Sequence, residues 1–158
     1  MRSKLLSALV VIFLVACSSI DCPVQNVVAV KYALMHGEEA DTLKDTVWVF
    51  SRRSDGTDTL LLNRGTGISS FSLQVSYSHP EDTLLVLLSD TTGRLTLDTV
   101  WLKKDDIPHF ESVDCSAHFF HRLTAVRSTH ESIDSIRIVN PTVNYDASIT
   151  NLYIYFHK

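Results

Sequence analysis

Phe71-Ser72-Leu73-Gln74-Val75-Ser76-Tyr77 is the stretch whose reading decides the fold. Its odd positions are apolar and its even positions polar, and a period of two turns alternate side chains to opposite faces of an extended chain. An amphipathic helix needs apolar positions three and four residues apart, and no window downstream of the N-terminal segment sustains that spacing. Residues 71–77 are therefore predicted to form a half-buried strand.

The same period recurs outward from there. Near the C-terminus Leu152, Ile154 and Phe156 face one way, with Tyr153, Tyr155 and His157 opposite. Leu84-Leu85-Val86-Leu87-Leu88 is apolar on both faces, as suits a central strand covered on both sides. β-Branched and aromatic residues predict further strands over 27–34, 46–51, 59–63, 95–102, 118–126 and 133–139. Turn signals separate them at Ser54-Asp55-Gly56-Thr57, Arg64-Gly65-Thr66-Gly67, His79-Pro80 and Thr91-Thr92-Gly93. Asp-Thr followed by Leu or Val recurs at Asp41, Asp45, Asp58, Asp82 and Asp98, at uneven spacings that exclude a solenoid, and a turn-then-strand reading accounts for most of them. A short helical turn is expected in 103–111. The expected fold is all-β, an antiparallel immunoglobulin-like sandwich of roughly eight to nine strands. Its core would draw on Val47, Val49, Phe71, Leu73, Val75, Leu85, Leu87, Leu97, Phe119, Leu123, Ile136, Ile138, Leu152, Ile154 and Phe156.

The N-terminus is of another kind. Arg2 and Lys4 precede an apolar run from Leu5 to Ala16, interrupted only by Ser7. That is the charged and apolar pattern of an export signal, and it is short for a membrane span, which takes about 20 apolar residues. Leu14-Val15-Ala16-Cys17 resembles the lipobox of bacterial lipoproteins. The resemblance implies a diacylglyceryl thioether on Cys17 and cleavage between Ala16 and Cys17. It implies a signal peptide over 1–16, a lipidated tether over 17–21 and a single domain over 22–158. The membrane is then a partner through the N-terminal lipid. Ser18-Ser19-Ile20-Asp21 lacks an acidic cluster, which favours an outer-membrane position facing the periplasm, with surface exposure as the alternative.

With Cys17 carrying lipid, Cys22 and Cys115 remain as an even pair in an oxidising compartment, where a disulfide is expected. It would close a loop of about 90 residues, worth about 4 to 5 kcal/mol on the chain-entropy model. Two free thiols are the alternative. The signal takes two of the 14 basic and none of the 18 acidic residues with it, so the formal charge of −4 falls to −6. An acidic domain lacks the footprint for nucleic acid.

No catalytic constellation is legible. His118 and His121, three apart on a predicted strand, would face opposite ways and could not share a metal. Gly-x-Ser-x-Gly is absent, and the glycines of Gly65-Thr66-Gly67 read as a hairpin loop. Asp55-Gly56-Thr57-Asp58 is short of the ligands that calcium takes. No metal or cofactor is expected. Tyr153 and Tyr155, sharing one face, form a candidate ligand platform, with inter-strand packing as the plainer reading.

Asp114-Cys115, the aromatic-rich strand leading to Leu123-Thr124-Ala125-Val126, Ile133-Asp134-Ser135-Ile136-Arg137-Ile138-Val139-Asn140-Pro141 and Asn151-Leu152-Tyr153-Ile154-Tyr155-Phe156 together resemble a family of uncharacterised Bacteroidetes lipoproteins, a domain of unknown function. An early Cys at position 22 and the Asp-Thr-Leu strand starts agree. The resemblance implies a lipid-anchored β-sandwich and carries over no activity. The expected function is a non-enzymatic binding or structural module of the cell envelope, its partner an envelope protein or glycan. The alternatives are an envelope hydrolase acting on glycan or peptide, and an accessory protein in surface-fibre assembly.

Overall fold

The computed structural model describes residues 27–112, 115 and 117–157. The expected signal peptide over 1–16, Cys17, the tether and Cys22 lie outside the described residues. The chain is all-β: β1 (Ala29–His36), β2 (Glu39–Ala40), β3 (Thr46–Arg52), β4 (Asp58–Gly65), β5 (Ser70–Gln74), β6 (Glu81–Ser89), β7 (Leu95–His109), β8 (His118–Ser128), β9 (Ile133–Ile138), β10 (Thr142–Val143) and β11 (Leu152–Phe156). One sheet runs β10-β8-β7-β6-β3-β4, the other β2-β1-β11-β9 with β5 also on β1.

The six-stranded sheet is antiparallel throughout, but β1 and β11 pair in parallel, Tyr32 opposite Leu152 and Leu34 opposite Ile154. The sheets are thus not all antiparallel, as periodicity had implied. Asn151, 2% exposed, sits at this junction: its Oδ1 accepts the Lys31 N–H at 3.0 Å, and its Nδ2 donates to the carbonyls of Asn140 and Thr142. One amide thereby ties the first strand to the connection between β9 and β10, aligning β1 with the last strand of the chain.

The core lies between the sheets. Val30, Tyr32, Leu34, Phe71, Leu73, Leu152 and Ile154 from one meet Val47, Val49, Leu84, Val86, Leu88, Val100, Leu102 and Leu123 from the other. Tyr32 stacks on Phe71, its cross-strand partner, at 4.9 Å. Gly65 is required by close approach: a Cβ there would meet Ile68 at 2.7 Å and Val47 at 3.2 Å.

Three expectations need correction. The strand at 71–77 ends at Gln74; Tyr77 is 68% exposed and stacks on Phe119 at 5.3 Å, which leaves Phe119 half-buried. The helical turn at 103–111 is strand, because β7 continues to His109 paired with β8. The expected inward residues of β6 are out of phase: Leu84, Val86 and Leu88 face the inter-sheet core, while Leu85, still buried at 8%, and Leu87 lie on the other face with Leu97, which is 51% exposed. An unbroken apolar run carries no period, so its phase is set by neighbours, here Asp98 and Val100 pointing inward from β7.

Candidate functional site

Strand β7 sends alternate side chains inward, and after Val100 and Leu102 come Lys104 and Asp106. Across from them β8 carries a register shift: Lys103 faces Ala125 but Lys104 faces Leu123, leaving Thr124 as an extra residue. The bulge resets the phase of β8, so that Val126 and Leu123 both face inward and His121 follows opposite Asp106. Lys104 Nζ donates to Asp106 Oδ1 at 2.7 Å, and His121 Nδ1 donates to the same oxygen at 2.6 Å. The Lys104 side chain is 0% exposed and that of His121 3%. Burial pulls the His121 imidazole below its usual range and the Lys104 charge adds to this, while hydrogen bonding to Asp106 opposes it.

This network fastens a loop. Lys104 Nζ also donates to the His79 carbonyl at 2.8 Å, and its backbone N–H to that of Pro80 at 2.9 Å. Asp82, 8% exposed on β6, accepts the Ser76 N–H on Oδ2 at 3.0 Å. Burial pushes the Asp82 carboxyl above the usual carboxylate range, against the pull of that hydrogen bond and of Lys104. Asp82 in turn helps burial raise the Tyr32 phenol. The fastened segment forms one wall of a cleft of about 500 Å³ through Ser76, Ser78 and His79. The β3–β4 turn supplies the other wall through Arg52, Arg53, Ser54 and Asp55, and Asp82 and Thr83 also line it.

Asp98 is the second buried carboxylate and serves another segment. Its Oδ1 accepts from Thr129 Oγ1 and the Glu131 N–H, its Oδ2 from the N–H groups of Ser132 and Ile133 and from Ser132 Oγ. Burial alone would raise its pKa, but the hydrogen bonds, led by Ser132 and Glu131, outweigh it and hold the carboxyl below the usual range. All five donors belong to the β8–β9 turn, so its role is structural.

Tyr153 and Tyr155 share the outer face of the five-stranded sheet, both half-buried, and the Arg137 guanidinium lies over both rings at 5.4 and 5.5 Å. Cys115 is buried, and its expected partner Cys22 lies outside the described residues. His118 and His121 point apart, His121 to Asp106 and His118 edge-on to Tyr145 at 6.0 Å. The outer face of the six-stranded sheet is apolar across several strands. Leu60, Phe50 and Leu85 form one cross-strand row, and Trp48, Leu87 and Leu97 the next. Trp101, with the Arg127 guanidinium 3.9 Å above its ring, borders them. Leu60 and Leu97 are about half exposed, at 45% and 51%.

Sequence reasoning missed the Lys104–Asp106–His121 network because a helical turn was expected at 103–111 and no bulge at Thr124. The available signal was the alternation Leu102, Lys104, Asp106, which continues the phase of Val100 past the end of the apolar residues. It also took Asp82 and Asp98 for turn residues, although both lie inside strands and face inward.

A family model described as a family of unknown function, DUF6452, matches residues 46–156, and the chain belongs to that family. No curated protein and no solved structure matches it.

Proposed function

We propose that this member of the family is a lipid-anchored, non-enzymatic binding module of the bacterial cell envelope that holds a protein partner against the outer face of its six-stranded sheet. The observation that carries the reading is that face. Exposed Leu60 and Leu97 and half-buried Trp48, Phe50, Leu87 and Trp101 surround the buried Leu85 on one side of a sheet whose other side already forms the core. Contiguous exposed apolar surface marks interaction sites, and tryptophan with arginine over a flat apolar centre is the composition of protein–protein contact. A glycan would favour the Tyr153–Arg137–Tyr155 surface instead.

The network most like catalytic machinery favours binding over hydrolysis. Lys104 and His121 are buried, at 0% and 3% side-chain exposure, and both bond the same Asp106 oxygen, which suits a structural network better than a substrate-facing one. Strand addition in fibre assembly is disfavoured because β4, at the edge of the sheet, carries two register shifts against β3. The anchor is Cys17, in an outer membrane of the Bacteroidetes type and facing the periplasm. A Cys22–Cys115 bridge joins the membrane-proximal segment to an immunoglobulin-like sandwich.

In its native envelope the full-length protein should sediment with membranes, and Cys17→Ala should release it. Partner capture from solubilised envelope should be lost with Leu97→Glu and kept with Tyr153→Ala. A Cys17→Ala protein that stays membrane-bound overturns the anchor; capture indifferent to Leu97→Glu overturns the docking face.

A further inference from the structure

We infer that the cleft between the β3–β4 turn and the 76–80 loop is a binding site for a small zwitterion, an amino acid or a dipeptide, with its ammonium on Asp82 and its carboxylate on Arg53. This inference is independent of the docking face and of the lipid.

The groups that line the cleft divide into those already committed and those left over. Arg52 is held by Asp58 through two hydrogen bonds of 3.0 and 3.1 Å. Asp55 accepts from the N–H and hydroxyl of Thr57. Glu81 faces Arg127 at 3.3 Å, and His79 Nδ1 lies 2.9 Å from the Ser78 hydroxyl. Among the described residues, Arg53 has no side-chain ion pair and Asp82 Oδ1 no hydrogen bond, although Asp82 is more than nine-tenths buried.

A lone cation entering the cleft would meet Arg52 and Arg53, and a lone anion would meet Asp55, Glu81 and Asp82. A ligand with both charges answers Arg53 and Asp82 together, and charge-assisted hydrogen bonds are the stronger kind. A volume of about 500 Å³ suits a ligand of that size. The wall carrying Ser76, Ser78 and His79 is held at both ends, by Asp82 on the Ser76 N–H and by Lys104 on the His79 carbonyl. The site is therefore largely preorganised, which lowers the ordering cost of binding.

The test uses full-length protein in detergent micelles with alanyl-alanine, its N-acetyl derivative and its C-terminal amide as probes, read by backbone amide shifts over 76–83. The free dipeptide should shift these amides, and each blocked form should bind at least about tenfold more weakly. Arg53→Ala lies on an exposed turn and should erase the difference between free dipeptide and amide while keeping the penalty for N-acetylation. Asp82→Asn should do the reverse; if that variant fails to fold, Arg53→Ala with the three probes decides. No shift with the dipeptide up to its solubility limit would overturn the site. Equal binding of a neutral disaccharide at the same amides, or an Arg53→Ala profile like that of the unmodified protein, would overturn the ligand class.

Discussion

Asp98 shows how much one side chain can organise. Its carboxylate answers five donors from the β8–β9 turn and is 0% exposed. Asp98→Ala strands those donors, and since an unsatisfied buried polar group costs about 1 to 3 kcal/mol, a loss of at least about 3 kcal/mol is expected by urea denaturation. Asp55→Ala, on an exposed turn, should leave the stability nearly unchanged. A loss at Asp98 no larger than at Asp55 would contradict the anchoring role. His121 sets a pH response of known sign. Its folded pKa lies below the ordinary imidazole value of 6.5, so on acidification the unfolded chain takes up the proton first. The stability it contributes is present above pH 6.5 and is lost as pH falls from 6.5 through the folded value. Asp98, held below the ordinary carboxylate value, adds a second loss at lower pH, whereas Asp82, pushed above it, acts in the opposite direction. The melting temperature should fall between pH 7 and 5, and His121→Gln should flatten that slope; an unchanged slope would remove His121 from the explanation. None of these roles was legible in the sequence. An Asp before a Thr reads as a turn whether it faces solvent or the core, and only the strand's phase tells the two apart.

At the scale of elements, β7 is the spine. Its N-terminal half packs apolar residues, and its C-terminal half carries the Lys104–Asp106 pair that ties the 76–80 loop to the sheet. Removing one partner of a buried pair leaves an uncompensated charge and costs about 3 to 5 kcal/mol. Lys104→Met should approach that loss and speed amide exchange over 76–79 by hydrogen-exchange mass spectrometry. Lys104→Met with Asp106→Leu should recover part of the stability but not the loop protection. Unchanged exchange in Lys104→Met would show that the loop is held by other contacts. Nine of the eleven strands among the described residues were legible, because period-two alternation and turn residues are local signals. β2 and β10, at two residues each, are too short to show a period. The second half of β7 was obscured by its charges, which read as solvated until their burial is seen.

At the scale of the whole molecule, the parallel pairing of β1 with β11 closes the domain by placing its first and last long strands side by side. That contact spans the chain and leaves no local mark, so alternation yielded the strands but not the mixed sheet. The proposed Cys22–Cys115 bridge would extend the closure. If Cys22 and Cys115 are bridged, non-reducing peptide mapping of the full-length protein from its native host gives one crosslinked pair; two alkylatable thiols would exclude the bridge. The proposed function rests on one sheet face. Alternation made the doubly apolar character of β6 visible, but the register that sets Leu87 beside Trp48 and Leu97 joins strands far apart in sequence, so the docking face emerges only with the fold. The measurement that bears on it most directly is site-specific photo-crosslinking in intact cells, with a photoreactive residue at position 97 and, separately, at position 153. A discrete protein adduct from position 97 and none from 153 is the expected result; no adduct from 97, or the same adduct from both, would contradict a partner held on the outer face of the six-stranded sheet.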